Sequence, residues 1–272
     1  MPQYGPDRFT KDGRLRAPLH LVGPRRDRSR IPFGPAATVS AIIFYMAKRK
    51  YDEYSTITPL QQFLGKVRIA PYGVLGTQLS MQGGLVEVAE PPNEQTVITD
   101  PAGLHHIRGV AEGAGGAAGS IYKWLGLSGP FPSEVKAAVQ GVGDAKYFEY
   151  PGGKKVIHTV GPDFRQGKWS EREATIELSR AYRNILHEHV ISNGERLRLL
   201  PVSAGIFSGY LYDQMPRITQ DALAAGFEQL HPYDKKYLSE GKGGEIELCI
   251  FMNREWDMYK TVFANLKPPS KL

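Results

Sequence analysis

Three short segments combine glycine and small side chains in a way that suits a phosphorylated ligand. The first, EGAGGAAGSIYKWLG, runs from Glu112 to Gly126 and leaves backbone amides uncovered just before an apolar helix start. Such a loop can approach a pyrophosphate closely, and a helix N-terminus adds positive potential. The same composition also fits a flexible Gly/Ala linker. The segment has neither the GKS or GKT of a P-loop nor a complete GxGxxG after a strand.

The other two segments each begin as an apolar strand. VIHTVGPDF, Val156–Phe164, places His158 between apolar neighbours, which favours a core histidine over a catalytic one. LLPVSAGIFSGY, Leu199–Tyr210, opens after its proline into a loop of small residues that carries Phe207 and Tyr210. The amides of this loop can hold phosphate, and its rings can shield a ribose or stack on it.

The elements that must position these segments alternate between strands and helices from residue 83 onward. Short runs rich in branched residues predict strands at LVEVAE, TVIT, KVIHTVG, LRLLPVS and EIELCIF. The alternation with helical stretches predicts an α/β fold built in layers. Ligands of open α/β sheets bind beyond the carboxyl ends of the strands, where both Gly-rich loops begin.

Helices are predicted from capping and apolar periodicity. Ser170 and Glu173 have the spacing of a capping box, the following apolar positions recur on one helix face, and Gly194 offers a stop. A further helix is predicted over residues 214–230. Earlier in the chain, helices are predicted at 37–51 and at 60–64, packing on the domain.

The positive charge is concentrated at the start of the chain. Residues 1–30 hold eight Arg or Lys and three Asp, and so carry five of the six net positive charges of the 272-residue chain. We therefore divide the chain into an irregular basic Pro/Gly/Arg-rich arm (1–35), a helical extension (36–78) and a main domain (79–272). The arm, over residues 8–30, is expected to bind nucleic acid or an acidic protein surface.

The cysteine content, the apolar runs and the histidine spacing limit the expected location of the protein and the kinds of site it can hold. The single cysteine, Cys249, lies in an apolar run and predicts an inert core thiol in a reducing compartment. No apolar run reaches the roughly 18 residues of a membrane span, and we expect an intracellular, cytoplasmic protein. Ser270-Lys271-Leu272 matches a peroxisomal address, which is the alternative. His187 and His189 point to different helix faces, and we expect no metal site and no cofactor.

VIHTVGP, the capped helix, LPVSAGIFSG and the closing IELCIF strand together resemble the macro domain family, in order and in spacing. The resemblance spans Leu85–Phe263, includes GDAK at 143–146, and is closest to the viral-type members. It implies a three-layer α/β/α domain with a mixed central sheet and ADP-ribose as ligand.

The resemblance also implies site residues. Backbone amides of the two loops would wrap the diphosphate, and the ring after the second loop would line the distal ribose. These roles map onto Gly115, Gly116, Ala117, Ser203, Ala204, Gly205, Ile206 and Phe207, with Tyr210 beside them.

Several positions depart from the family pattern. Glu87 is the best match to the adenine-contacting Asp. The family's Asn-Ala-Ala-Asn falls on Thr99-Asp100-Pro101-Ala102, so its second Asn becomes Ala102 or Gly103. Ala118 stands where hydrolytic members often carry a water-activating Asp.

A replacement general base is conceivable in the long loop at 103–112. His105 and His106 have a suitable pKa range for this role, although an exposed pair contacting solvent or a partner is the alternative. Asp100 is either an acidic group of the site or a turn residue before Pro101.

Three functions follow from these observations. The first is binding of ADP-ribose or ADP-ribosylated partners with little or no hydrolysis. The second is a non-catalytic structural subunit of a larger assembly, which can include nucleic acid. The third is an ADP-ribosyl hydrolase, so that any enzymatic activity would be hydrolysis of ADP-ribose derivatives.

Overall fold

The computed structural model describes residues 57–79 and 84–264 of the chain. The predicted basic arm, the helix predicted at 37–51 and the C-terminal Ser-Lys-Leu lie outside the described residues.

A mixed sheet organises the described residues. The strands, in chain order, are β1 Val67–Ala70, β2 Thr77–Leu79, β3 Leu85–Glu87, β4 Thr96–Pro101, β5 Ala145–Tyr150, β6 Lys154–Thr159, β7 Arg196–Leu199 and β8 Glu245–Cys249. Six of them form one sheet in the order β1-β8-β7-β4-β6-β5. All neighbours in it are parallel except β5, which runs antiparallel to β6. Strands β2 and β3 form a separate antiparallel pair.

Helices cover both faces of the sheet. They are α1 Pro59–Lys66, α2 Leu104–Arg108, α3 Gly116–Leu125, α4 Ser133–Ala138, α5 Glu171–Ser192, α6 Met215–Glu228, α7 Pro232–Ser239 and α8 Asn253–Ala264. Helices α1, α5, α6, α7 and α8 contribute buried side chains to one apolar cluster. Helices α2, α3 and α4 contribute to the other. The architecture is therefore the three-layer α/β/α arrangement that the sequence predicted.

The alternation of side chains along the strands separates the two clusters. In β4, Val97 belongs to the first cluster and Ile98 to the second; in β6, Ile157 and Val156 divide in the same way. Because successive strand residues point to opposite faces, Asp100 and His158 point to the same face as Ile98 and Val156. Two polar side chains are thereby placed in the layer that contains α3.

The predicted elements after residue 83 are mostly confirmed. TVIT, KVIHTVG, LRLLPVS and EIELCIF contain β4, β6, β7 and β8, and the helix predicted at 214–230 is α6. The capping box of α5 is formed, with the Ser170 side chain accepting from the Glu173 amide. The left-handed residue that ends this helix is Asn193, at φ 51°. Gly194 is required for packing instead, since a Cβ there would lie 2.4 Å from Val97 Cγ2.

The region before residue 79 differs from the sequence interpretation. The short helix predicted at 60–64 is present as α1, but the helical extension predicted over 36–78 also contains strand β1 and the start of strand β2. Strand β1 belongs to the main sheet, where it pairs with β8. Its four residues include an exposed Arg68 and are too few to show a strand period.

The buried Arg198 ties the region before β4 to the sheet. Its Nε donates to Glu247 of β8 at 2.9 Å. Its Nη1 donates to the carbonyl oxygens of Glu90, at 2.9 Å, and Val74, at 3.3 Å. The guanidinium also lies over the Tyr72 ring, with its carbon 5.3 Å from the ring centroid. One buried charge is therefore satisfied by a carboxylate and by two backbone groups.

Within the described ranges, none of the helices is both long enough and apolar enough to cross a membrane. The single cysteine is buried at the end of β8, and burial raises the pKa of its thiol. A thiol in this environment stays protonated and unreactive near neutral pH, as predicted.

His189 is a buried base that can make folding sensitive to acid. It is completely enclosed, and its Nε2 lies 2.9 Å from the carbonyl oxygen of Gly243. Burial lowers its pKa from 6.5 to about 4, while the bond to Gly243 opposes this shift. The unfolded chain therefore takes up this proton at a higher pH than the native protein does. Native stability falls as the pH is lowered from 6.5 through about 4.

We predict that His189→Gln reduces this acid sensitivity. A glutamine amide can still donate to Gly243 but does not titrate. Between pH 7 and pH 4 the wild type should lose about 3 kcal/mol more free energy of unfolding than the variant. Urea denaturation at a series of pH values measures the difference. His105→Gln, at an exposed position, is the control and should keep the wild-type profile. Identical pH profiles for wild type and His189→Gln would contradict the prediction.

Candidate functional site

Three parallel strands bring the segments of the candidate site to one edge of the sheet. β7, β4 and β6 are adjacent and parallel, so their carboxyl ends lie together. The chain leaves β4 into the first loop (residues 109–116), which follows α2, and leaves β7 into the second loop (residues 200–209). Val160–Phe164 follow β6 at the same edge.

The first loop ends in a helix start without a capping side chain. Gly115 is the N-cap of α3, and no side chain bonds the first amides of the helix. Gly113 and Gly116 adopt left-handed conformations, at φ 80° and 59°. A Cβ at Gly113, Gly115 or Gly116 would have no atom within 4 Å. The positive end of a ten-residue helix therefore has no capping side chain and open space beside its glycines, which suits an anion.

This loop is held in place and is not a free linker. Its start is fixed by hydrogen bonds from the Ala111 amide to the Gly129 carbonyl, at 3.0 Å, and from the Glu112 amide to the Ser128 carbonyl, at 3.1 Å. Gly119 lies one turn into the helix, where a Cβ would be 2.2 Å from the Ala114 oxygen. The glycine therefore lets the loop fold back onto its own helix.

The second loop turns sharply with its backbone outward. Ser203 and Gly205 have positive φ values of 61° and 63°, and two 3₁₀ turns follow, Gly205–Phe207 and Gly209–Gln214. The Val202 amide donates to the buried Tyr182 hydroxyl at 3.1 Å, which anchors the loop to α5. A Cβ at Gly205 would again meet nothing within 4 Å.

The segment after β6 supports the second loop. The Phe164 amide donates to the Phe207 carbonyl at 2.9 Å. Gly161 packs so closely that a Cβ there would lie 2.4 Å from Ser203 Oγ and 2.5 Å from Val202 Cγ1. VIHTVGPDF thus forms a base on which the second loop rests.

An arginine holds one ring of the second loop. The guanidinium carbon of Arg165 lies 4.7 Å from the centroid of the Phe207 ring. Asp163 accepts from Arg165 Nε at 2.8 Å and from Nη2 at 2.7 Å. These hydrogen bonds lower the pKa of Asp163. The sequence analysis missed this arrangement, although the DFR of Asp163–Arg165 directly follows the recognised VIHTVGP.

The family model of macro domains matches residues 111–216, a range that contains α3, the strands β5, β6 and β7, the second loop and the first loop from residue 111 onward. This part of the chain is a macro domain. The recognition made from the sequence is therefore confirmed, whereas the closeness to viral-type members stays a prediction.

Solved macro domain structures are similar to this chain at low identity. A macrodomain from Oceanobacillus iheyensis with ADP is 20% identical, with a TM-score of 0.45, covering 64% of this chain and 85% of that one. The Trypanosoma brucei macrodomain in complex with ADP is 19% identical, with a TM-score of 0.47, covering 75% of this chain and 72% of that one. No curated protein matches the sequence.

The macro domain exposes the aromatic and apolar residues that were assigned to its second loop. Ile206 is 73% exposed, Tyr210 57% and Phe207 39%. The Tyr210 hydroxyl donates to the Trp169 carbonyl at 2.5 Å, so the ring is held although it is open to solvent. Phe207 and Tyr210 are thus fixed surfaces beside the loop amides.

Other predicted positions lie elsewhere. Glu87 is exposed in β3, within the separate two-stranded sheet, and is not at the strand ends that carry the loops. Ala118 is buried in α3, and Ala102 is buried after β4. As alanines, neither residue provides a polar side chain. The role of Glu87 in adenine binding stays a prediction.

The three proposed catalytic groups do not form one cluster. His105 and His106 lie on α2 with ring centroids 4.0 Å apart, and His106 Nδ1 is 3.1 Å from the Val110 oxygen. Asp100 is fully buried at the end of β4, and His158 Nδ1 lies 2.7 Å from its Oδ2. Asp100 is therefore part of a buried strand and is not the turn residue that Pro101 suggested. His158 is the core histidine that the sequence favoured.

The described residues contain no cluster of side chains that could bind a metal ion. No group of three or more His, Cys, Asp or Glu side chains lies together in residues 57–79 and 84–264. His187 pairs with Asp234 at 2.7 Å, while His189 is buried against Gly243.

We predict that Gly161→Ala destabilises the macro domain and displaces the second loop. The added methyl must push against Val202 and Ser203, both of which lie closer than van der Waals contact allows. Overpacking of this kind costs about 1–3 kcal/mol, measurable by urea denaturation. Gly129→Ala is the control, because nothing lies within 4 Å of a Cβ there. Equal stability of the two variants would show that the loop is not packed on this segment.

Proposed function

We propose that this macro domain binds ADP-ribose or ADP-ribosylated partners through its two loops, with little or no hydrolysis. The observation that carries the proposal is the pair of loops at adjacent parallel strand ends, each with left-handed glycines and unobstructed space before its backbone. Amides at such positions bind a diphosphate without needing particular side chains.

The proposed ligand residues divide by the part of ADP-ribose that they would contact. The amides of Gly115, Gly116 and Ala117 begin α3 and would hold one phosphate. The backbone of Ser203–Ile206 would hold the other, and Phe207 and Tyr210 would flank the distal ribose. Support comes from the exposure and fixed orientation of the two rings.

Low hydrolytic activity is part of the proposal. Ala118 offers no group to activate water, and loss of a general base typically removes about 10²–10⁴-fold in rate. Asp100 is bonded to His158 and enclosed, which leaves His105 and His106 as the bases for the alternative, an ADP-ribosyl hydrolase. Their accessible position on α2 is what keeps that alternative open.

We predict that Gly115→Glu removes ADP-ribose binding while Gly115→Gln largely keeps it. Gly115 has φ −106° and ψ 178°, which any residue can adopt, and the space before it is open. A carboxylate there would repel the diphosphate, whereas the isosteric amide would not, so the affinities should differ by more than about tenfold.

Titration calorimetry with ADP-ribose on the wild type and both variants is the measurement. Absent or millimolar binding by the wild type would reject the proposal and favour a structural subunit. Equal affinities of the Glu and Gln variants would move the diphosphate away from the start of α3.

We further propose that the arm, residues 8–30, binds a polyanion, with nucleic acid as the favoured partner. Support comes from the sequence, in which seven of the eight basic residues are arginines, whose planar fork suits phosphate. The arm would then anchor the protein without taking part in the ADP-ribose site.

We predict that the full chain binds RNA or DNA with an affinity that falls steeply with salt, since each neutralised phosphate releases counterions. A version that starts at Pro35 should lose this binding. Filter binding from low to high salt compares the two. Equal affinities would discard the arm as a nucleic-acid contact and leave an acidic protein surface as its partner.

A further inference from the structure

A row of polar side chains is buried between the sheet and α3. Asp100 of β4 and His158 of β6 are both fully enclosed, with His158 Nδ1 2.7 Å from Asp100 Oδ2. His158 Nε2 lies 2.9 Å from the Tyr150 hydroxyl on β5. With Asp100 ionised, Nδ1 donates to it, and in the neutral ring Nε2 accepts from Tyr150. The row therefore crosses three adjacent strands.

The row has one open end, and that end faces α3. Asp100 Oδ1 and the Tyr122 hydroxyl are both buried, and neither has a hydrogen-bond partner among residues 57–79 and 84–264. Burial and the nearby Asp100 carboxylate both raise the pKa of Tyr122. One atom is an acceptor and the other a donor, so they complement each other. A buried polar atom that lacks a hydrogen bond is destabilising by about 1–3 kcal/mol. A hydrogen bond between these two atoms would remove that cost for both.

Aromatic rings enclose this end of the row. The Phe131 ring meets the His158 ring edge-on at 5.2 Å, and the Tyr150 and Tyr122 rings lie 5.7 and 6.5 Å away. Tyr122 and Phe131 also pack edge to face at 5.2 Å. Because water is excluded from around the carboxylate, a hydrogen bond between it and the Tyr122 hydroxyl would be strong and directional.

Tyr122 belongs to the helix that presents the first loop. It lies in α3, which begins at Gly116, and Ala118 and Ile121 of the same helix are buried in the second apolar cluster. A helix moves as a rigid rod over such a short distance. A shift of Tyr122 relative to Asp100 therefore moves the amides of Gly115–Ala117 by a similar amount.

We propose that Asp100 and His158 are positioning residues for the diphosphate site, acting through Tyr122 to set where the N-terminus of α3 lies. His158 and Tyr150 hold the Asp100 carboxylate against the sheet, and the carboxylate in turn holds α3 through the Tyr122 hydroxyl. This gives the buried Asp100 a role that needs no contact with the ligand. The inference rests on the proposed function of the first loop, because the amides it positions are those assigned to the diphosphate.

Two variants test the proposal, one at the carboxylate and one at the tyrosine hydroxyl. Asp100→Asn removes the charge at nearly constant volume, and Tyr122→Phe removes only the hydroxyl. Each should weaken ADP-ribose binding about two- to thirty-fold, the range that corresponds to remote couplings. Each should also move the NMR amide signals of Gly115, Gly116 and Ala117 in the ligand-free protein. Ser239→Ala, which removes a buried hydroxyl on α7 that has no hydrogen-bond partner among the described residues, is the control and should leave affinity and signals unchanged.

The outcomes separate this inference from the function on which it rests. If the wild type does not bind ADP-ribose, the proposed function fails, and the ligand-free amide signals still decide whether Asp100 positions α3. Unchanged signals and unchanged affinity in Tyr122→Phe overturn the positioning role, even if Asp100→Asn does not fold. Equal losses of affinity in Tyr122→Phe and Ser239→Ala also overturn it, because they would indicate general loosening of the core.

Discussion

The parallel pairing of β4 with both β6 and β7 decides where every functional segment of this domain lies. Parallel neighbours present their carboxyl ends at one edge, so the loops that follow these strands begin side by side whatever their sequences are. The first loop, the second loop and the VIHTVGPDF segment all depend on this pairing. Apolar helices cover both faces, because strands buried on two sides must be enclosed on two sides.

Much of this arrangement could be read from the sequence, because strong local signals coincide with it. The capping box at Ser170, the branched runs of β4, β6, β7 and β8, and the glycines of both loops each specify a local structure. Other features have no local signal. β1 is too short to show a period, and β5 mixes charged and aromatic residues at the sheet edge. The sequence allowed Asp100 to be either an acidic group of the site or a turn residue before Pro101, because its partner, His158, is 58 residues away.

The candidate site shows how ligand binding can be kept without catalysis in such a fold. The features that we propose to bind phosphate belong to the backbone: left-handed glycines, a helix without a capping side chain, and a turn anchored by Tyr182. Backbone geometry survives side-chain replacement as long as the packing below it is kept. Catalysis depends on particular side chains instead, and the buried alanines at positions 102 and 118 provide no polar group for it. Function lives in sites and not in folds.

The pairing of β1 with β8 joins the first and last strands of the described chain, Val67 lying opposite Ile246. A ribosome releases these segments far apart in time. Until residues 245–249 have emerged, β1 has no neighbour in the sheet and β7 keeps an open edge beside it. Between the emergence of β1 and that of β8, the nascent chain therefore carries an unpaired strand edge, the kind of surface that invites association between chains.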